Sequence, residues 1–377
     1  MNQNCKKIIK QIASTISGII PFRTLMSAKQ AREILELWHP CPTGTCIANN
    51  LVNLVYDLQI VVPAYNVESY ITDCLSSIFS QVTQYKCLIT IVNDGSTDST
   101  ASKIYSFLSN KLEGYNEDIN INIEFEIINQ KNKGLSGARN RATQIIKGNY
   151  VMLVDSDDIV PPGTIEKMLN KAYETGADLI QGSWYDFREV YTNVVGEHLI
   201  AQDGVLADNR KVFSGFPWGK MYKYTVLENF KFPEGFWFED TPVSFILYAM
   251  PYKFAAIPDI VYGYRLNPNG ISASSSGKRK SVDSFWITER CLEEFPAFYV
   301  KYDQRAYEYF LRQSFMNWNR TRKQPRRVRE AIFVLTNELK NKYFHGMNTK
   351  DAFFQKIENS LEKKQFMKYE LMMISRL

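Results

Sequence analysis

From Leu58 to about residue 185 the chain repeats one unit: a short apolar run, a polar turn, then a segment of helical periodicity. "LQIVVPAYN" leads into "YITDCLSSIFSQ", and "LITIVNDGSTDST" opens a second helix. "IEFEIINQ" precedes "SGARNRATQII", "NYVMLVDSDD" precedes "PGTIEKMLNKAYETG", and "ADLIQGSW" closes the series. Strands alternating with helices of about 10 to 15 residues form βαβ units and a parallel sheet. Right-handed crossovers then place helices on both faces. The spacing therefore predicts an α/β fold, with a ligand crevice at the carboxyl ends of the strands. The polar clusters "AYN", "NDGS", "NQKNKG" and "DSDD" all lie at such ends, so they are expected to converge on one cleft.

The flanks read differently. Residues 1–57 suggest a helical extension and residues 276–377 a helical region, leaving 58–275 as the α/β domain. The chain has 377 residues, 45% hydrophobic and 23% charged, which is ordinary globular material. A net charge of +5 is too weak to imply nucleic acid. The basic residues are uneven: Arg320, Arg322, Lys323, Arg326, Arg327 and Arg329 crowd one segment. A solvated helix surface explains them, and so does contact with an acidic membrane. Lys6, Lys7 and Lys10 precede a run with Ile8, Ile12, Ile16 and Ile19 at helical spacing. That pattern fits an amphipathic helix, packed on the main domain or lying on a membrane. No apolar run approaches the roughly 20 residues that span a bilayer. Six scattered cysteines point to a reducing compartment, hence a cytoplasmic protein with at most peripheral membrane contact. With only three histidines, a bound metal is expected on carboxylates, which favours magnesium or manganese over zinc.

Three carboxylates, Asp155, Asp157 and Asp158, end one apolar strand. Like charges this close raise each other's pKa unless a cation neutralises them. A helix cap before Pro161 and Pro162 accounts for one of them, not three. In "NDGSTDST" a capped turn explains Gly95, Ser96 and Thr97, but leaves Asp94 free to accept from a base edge or ribose. Gly134 and Gly137 open a helix carrying Arg139 and Arg141; backbone amides at a helix start favour anions. Glu239 and Asp240 stand before Thr241 and Pro242. They suit either a helix dipole or a general base in a cleft.

Together these clusters resemble the inverting, metal-dependent family 2 glycosyltransferases of the GT-A fold. The matching pieces, in family order, are "IVVPAYNVESYITDCLSSIFSQ", "IVNDGSTDST", "NKGLSGARNRA", "VMLVDSDDIV", "WGKMYKYTVL", "FEDTPVSF" and "YRLNPNGIS". The resemblance covers about residues 58 to 275 and implies a role for each piece. Pro63, Tyr65 and Glu68 hold the nucleotide, and Asp94 reads the uracil or its equivalent. Lys133, Gly134 and Arg139 flank the base and diphosphate. Asp155, Ser156 and Asp157 form the DxD element, with Asp157 or Asp158 on manganese or magnesium and Asp155 toward the ribose or the metal's outer shell. Trp218, Gly219 and Lys220 line the sugar and acceptor side. Asp240 is the base, Glu239 contacts the acceptor, and Arg265 helps close over the diphosphate. The family often has Ser five residues beyond this Arg; here Gly270 stands there, with Ser272 close by. The implied donor is a nucleotide-diphosphate sugar, UDP-linked by expectation, and the acceptor a glycan or lipid-linked saccharide of bacterial surface polysaccharide synthesis. Two alternatives remain at this point: a phosphatase of the haloacid dehalogenase type with Asp155 as nucleophile, and an inactive transferase fold serving as a scaffold.

Overall fold

The structure is a computed structural model in which residues 23–113, 122–208, 212–267, 270 and 277–376 are described. The expected N-terminal amphipathic helix, Cys5 and Ser272 lie outside the described residues. The chain forms two compact units, one of residues 43–270 and one of residues 1–42 with 271–377. Helix α1 (Ala28–Trp38) belongs to the second of these.

The α/β unit follows the expected alternation. In chain order it contains β1 (Leu51–Ala64), α2 (Ile71–Phe79), β2 (Cys87–Asn93), α3 (Thr100–Glu113), β3 (Ile123–Asn129), α4 (Gly134–Thr143), β4 (Ile145–Leu153) and α5 (Thr164–Thr175). There follow β5 (Leu179–Phe187), β6 (Val194–His198), β7 (Gly204–Val205), β8 (Lys220–Lys223), α6 (Tyr224–Leu227), α7 (Thr241–Phe245) and β9 (Phe254–Arg265). Among the described residues nine strands form one sheet in the order β3-β2-β1-β4-β8-β5-β9-β7, with β6 added beside β5. The fold class is the expected one, α/β with a mostly parallel sheet on its β3–β4 side.

Burial explains the strands. Every residue of β2 is buried, as a parallel strand covered on both faces requires. β1 is buried only from Leu58 onward, and its first five residues are exposed. Its start at Leu51 lies inside the stretch expected to be helical. "LVNLV" pairs with β4, Leu51 opposite Ile145 and Val52 opposite Ile146, so strand pairing overrides a weak helical pattern. Helix α5 buries Ile165, Met168, Leu169 and Ala172, the 3–4 spacing of a helix on a sheet. Truncating Ile165, Met168 or Leu169 to Ala costs about 2–5 kcal/mol.

Within the other unit, α8 (Asp283–Glu294), α9 (Gln304–Thr321), α10 (Arg326–Tyr343), α11 (Ala352–Glu362) and α12 (Phe366–Arg376) follow one another. Helix α1 packs on α10, and Arg32 forks onto Glu289 with two bonds of 2.6 Å. The basic segment runs from the end of α9 through the turn into the start of α10. Arg322, Lys323, Arg326 and Arg327 are exposed, whereas Arg329 pairs with Glu370 at 2.9 Å. No helix among the described residues is long and apolar enough to cross a membrane.

Candidate active site

The first two strand-end loops are laced together. Asn66 Oδ1 accepts from the Thr97 amide (2.8 Å) and Glu68 Oε2 from the Ser99 amide (2.8 Å). The Val67 amide donates to Thr100 Oγ1 (2.8 Å). Ser96 and Thr97 therefore serve the first loop, and it is Asp98 that accepts from the Thr100 amide at the helix start. Tyr65 is 47% exposed and Pro63 is buried in β1. Gly95 has φ +72°, and a Cβ there would lie 2.9 Å from the Asn132 amide nitrogen. Glycine at this position lets the second and third loops touch.

Asp94 is buried. Its Oδ1 accepts from Gln130 Nε2 (2.7 Å) and from the Lys133 amide (2.9 Å). A carboxylate so anchored is rigid, and Gln130 is a partner that only the fold reveals. The Lys133 side chain is exposed, and Gly134 takes φ +77° with open space around it.

After β4 the three aspartates divide. Asp158 is 1% exposed. Its Oδ2 accepts from the Tyr262 hydroxyl (2.7 Å) and its Oδ1 from the Arg265 amide (2.7 Å). Burial, then repulsion from Asp157 and Asp155, pushes its carboxyl well above the ordinary range. It is not the cap of α5, whose N-cap is Gly163 in a left-handed conformation. Asp157 is half-buried; Asn267 Nδ2 donates to its Oδ2 (2.9 Å). Burial raises its pKa, reinforced by Asp155. Asp155 keeps 24% of its side chain exposed and takes a 2.6 Å ion pair from Arg139. Ser156 between them is buried.

Arg139 is the centre of the cluster. Its side chain is 1% exposed and bridges Asp155 (2.6 Å) to Glu239 (3.1 Å). Burial alone lowers its pKa, but the two carboxylates outweigh that and raise it. Its Nε is buried without a partner. Glu239 is itself pushed up by burial and by Asp240, against the pull of Arg139. The bridge brings together residues 100 positions apart and joins the β4 loop to the start of α7.

Asp240 occupies the N-cap position of α7, yet its side chain makes no cap bond. Its Oδ1 is buried without a hydrogen-bond partner. An orphaned carboxylate oxygen costs desolvation free energy, so a purely structural role is a poor account of it. Phe238, two residues earlier, has φ +62°, a strained backbone for an aromatic residue.

Two expected contact residues turn inward. Lys220 is fully buried and donates from Nζ to Ser214 Oγ (2.9 Å), Phe216 O (2.5 Å) and Trp218 O (3.3 Å). Burial pulls its pKa well below the usual value, despite Asp240. All three N–H groups are committed to the 214–218 loop. Arg265 is likewise committed: Nε donates to Asp157 O (2.6 Å), Nη1 to Glu189 O and Nη2 to Asp73 Oδ2 (3.4 Å). Its guanidinium lies over Tyr70 (4.8 Å) and Phe187 (4.6 Å). Trp218 is 4% exposed, between Phe216 and two tyrosines. Tyr262 and Asn267, which hold the aspartates, escape sequence reasoning because neither belongs to a charged cluster.

Among the described residues no three His, Cys, Asp or Glu side chains make a ready metal cage. The donor set nonetheless fits a hard divalent cation that completes its shell with ligand oxygens and water. Asp157 and Asp155 offer partly exposed carboxylates; Asp158 has both oxygens engaged.

Known proteins bear on this arrangement. Residues 59–231 match the sequence model of the family described as "Glycosyl transferase family 2". Glycosyltransferase GlyA of Streptococcus pneumoniae is 31% identical over 57% of this chain and 31% of its own length. GlyG of the same organism is 28% identical over 62% of this chain and 76% of its own. The putative glycosyltransferase EpsH of Bacillus subtilis is 28% identical over 57% of this chain and 62% of its own. The chain thus spans under a third of GlyA. Residues 1–349 of TarS from S. aureus, in complex with UDP-GlcNAc, share the fold with a TM-score of 0.61. The identity there is 18%, over 85% of this chain and 91% of that one.

Proposed function

We propose that this chain, whose residues 59–231 match the glycosyl transferase family 2 model and whose fold is shared by TarS, is a family 2 enzyme of the GT-A fold that moves a sugar from a nucleotide-diphosphate donor to a saccharide hydroxyl with inversion. The observation that carries the reading is Asp240: a half-buried carboxylate whose buried Oδ1 finds no hydrogen-bond partner among the described residues, in a loop tied through Glu239 and Arg139 to Asp155.

Asp94, held rigid by Gln130 and the Lys133 amide, receives the base of the nucleotide. Tyr65 and the Glu68 loop enclose its ribose side, Lys133 presents a cation to the diphosphate, and Gly134, with open space where a side chain would stand, lets the phosphates approach the backbone. Asp157 and Asp155 would hold magnesium or manganese, which when bound supplies counter-charge to the leaving diphosphate. Asp240 takes the proton from the acceptor hydroxyl. That oxygen attacks the anomeric carbon as the bond from the carbon to the phosphate oxygen breaks, and the electron pair leaves with the nucleotide. A single displacement inverts the centre, so no protein nucleophile is needed. Arg139 holds the donor-side and acceptor-side carboxylates together, and Lys220 and Arg265 position loops rather than touch substrate. Tyr262 and Asp158 fix the turn that presents Asp155 and Asp157.

UDP is the proposed nucleotide, supported by the ligand of the TarS structure, and surface polysaccharide synthesis the proposed setting. The exposed arginines and lysine of the α9–α10 turn support peripheral contact with an acidic membrane. Neither a phosphatase nor an inactive scaffold is favoured by the family match. The test is transfer from a panel of nucleotide sugars with manganese. Asp240→Asn abolishes transfer while UDP with manganese still raises the melting temperature; full turnover by that variant overturns the reading.

A further inference from the structure

On the side of the sheet away from Asp94, strand register assembles a row of rings. Trp184 of β5 pairs with Tyr262 of β9 and, across β6, with His198; Asp186 pairs with Tyr264. Side chains two apart on a strand share a face, so Trp184 and Asp186 point the same way. The Trp184 and His198 rings stack at 4.7 Å and 13°. His198 Nε2 lies 2.9 Å from Asp186 Oδ2. Trp184 meets Trp218 edge-on at 5.8 Å, and Phe216 covers Trp218 at 4.7 Å and 5°.

This row is not finished core. Phe216 is 43% exposed and the His198 side chain 44% exposed, while Trp184 and Tyr264 are half-buried. It also abuts the reaction centre. The Tyr262 hydroxyl donates to Asp158 and accepts from the Asp155 amide (3.1 Å), and Tyr262 stacks on Trp218 at 4.6 Å. In the strand order, β4 with its aspartates stands between β2, which carries Asp94, and β5.

We propose that Phe216, Trp184, His198 and Asp186 form the platform that binds the acceptor saccharide. The inference rests on the glycosyl-transfer reading and names the chemistry of its second substrate. A pyranose has an apolar C–H face and a rim of hydroxyls. The electron-rich faces of Phe216 and the Trp184–His198 pair suit the former. The Asp186 carboxylate and the imidazole suit the latter. Exposed rings with a few convergent polar groups are the anatomy of a small-ligand site. A nucleotide diphosphate finds no cation among these four residues unless His198 is protonated, and its base has Asp94 elsewhere.

The test uses the full chain and four probes: N,N′-diacetylchitobiose, cellobiose, lactose and maltose. Saturation-transfer NMR and tryptophan fluorescence report binding, and thermal shift with UDP and manganese reports the donor side. At least one disaccharide binds the wild type. Phe216→Ala and His198→Ala each weaken it by about tenfold, Phe216→Tyr retains it, and the UDP response stays as in wild type. Equal saccharide affinity in the alanine variants overturns the platform. So does a wild type that answers to UDP but to none of the four sugars. Should a sugar bind in this pattern while UDP does nothing, the platform stands and the transfer reading falls. His198→Gln, at an exposed position, serves if the alanine variants lose their far-ultraviolet signal.

Discussion

The two sides of the sheet are built on different principles. From β3 to β4 the strands are parallel, and each ends in a loop that delivers polar residues from one contiguous motif: Asp94 with Gly95, Lys133 with Gly134, Asp155 with Asp157. From β8 to β7 the pairing is mixed, with β8 antiparallel to both β4 and β5, and the site residues come singly. Lys220 supports a loop from beneath, Tyr262 reaches across to Asp158, and Asp240 precedes a five-residue helix. The parallel side positions its candidate site residues with backbone and turns; the mixed side positions its own with long-range side-chain contacts. Arg139 is the seam between them.

The largest effect is expected at the proposed base. Asp240→Asn lowers kcat by about 10²–10⁴ and leaves the denaturation midpoint close to wild type, because its side chain caps nothing. A large loss of stability instead would assign Asp240 to the scaffold. Next is the seam. Arg139→Ala leaves Asp155 and Glu239 in a poorly hydrated site without their cation, at a cost of about 3–5 kcal/mol in urea unfolding. An effect below about 1 kcal/mol would mean that the two sides are energetically independent.

Gly95→Ala strikes the parallel side alone. It forces a side chain into left-handed backbone and against Asn132, costing about 1–3 kcal/mol. Nucleotide affinity drops with it, since Asp94 and Lys133 share that contact. The smallest effect concerns pH. Asp157 and Asp158 have folded-state pKa values above the ordinary carboxylate range. Their stabilisation is complete below the unfolded value and is lost as pH rises through the raised one. Asp158→Asn, whose amide the Tyr262 hydroxyl can turn to accept, flattens the fall in Tm that sets in as pH rises above the ordinary carboxylate range, by a few degrees. An unchanged slope would place the pH dependence elsewhere.

The same asymmetry decides what can be seen in the amino-acid string. The β3–β4 side is legible because its information is local: an apolar run, a glycine, a charged residue, a helix. The aspartate trio and the Glu239–Asp240 pair stand out by charge density. Tyr262, Asn267 and Gln130 do not, since a single tyrosine or amide has no signature until register places it. For the same reason the inward turn of Lys220 and Arg265 is invisible: a motif names a residue type, and only packing decides whether its donors face substrate or backbone. None of the three aspartates caps α5, because Gly163 starts that helix by backbone conformation alone. The early start of β1 is hidden because its exposed residues carry no strand-like alternation.

Phe238 holds its left-handed backbone immediately before Glu239 and Asp240. Screened for heat resistance alone, a mutant library would exchange it for Gly or Asn, which adopt that conformation with about 1 kcal/mol less strain. Screened for turnover, the same library would keep the bulky ring, because a looser position 238 lets Asp240 wander from its aim. The two selections pull one codon in opposite directions, so a breeder of this protein meets the conflict between durability and speed at a residue to which the proposed chemistry assigns no part.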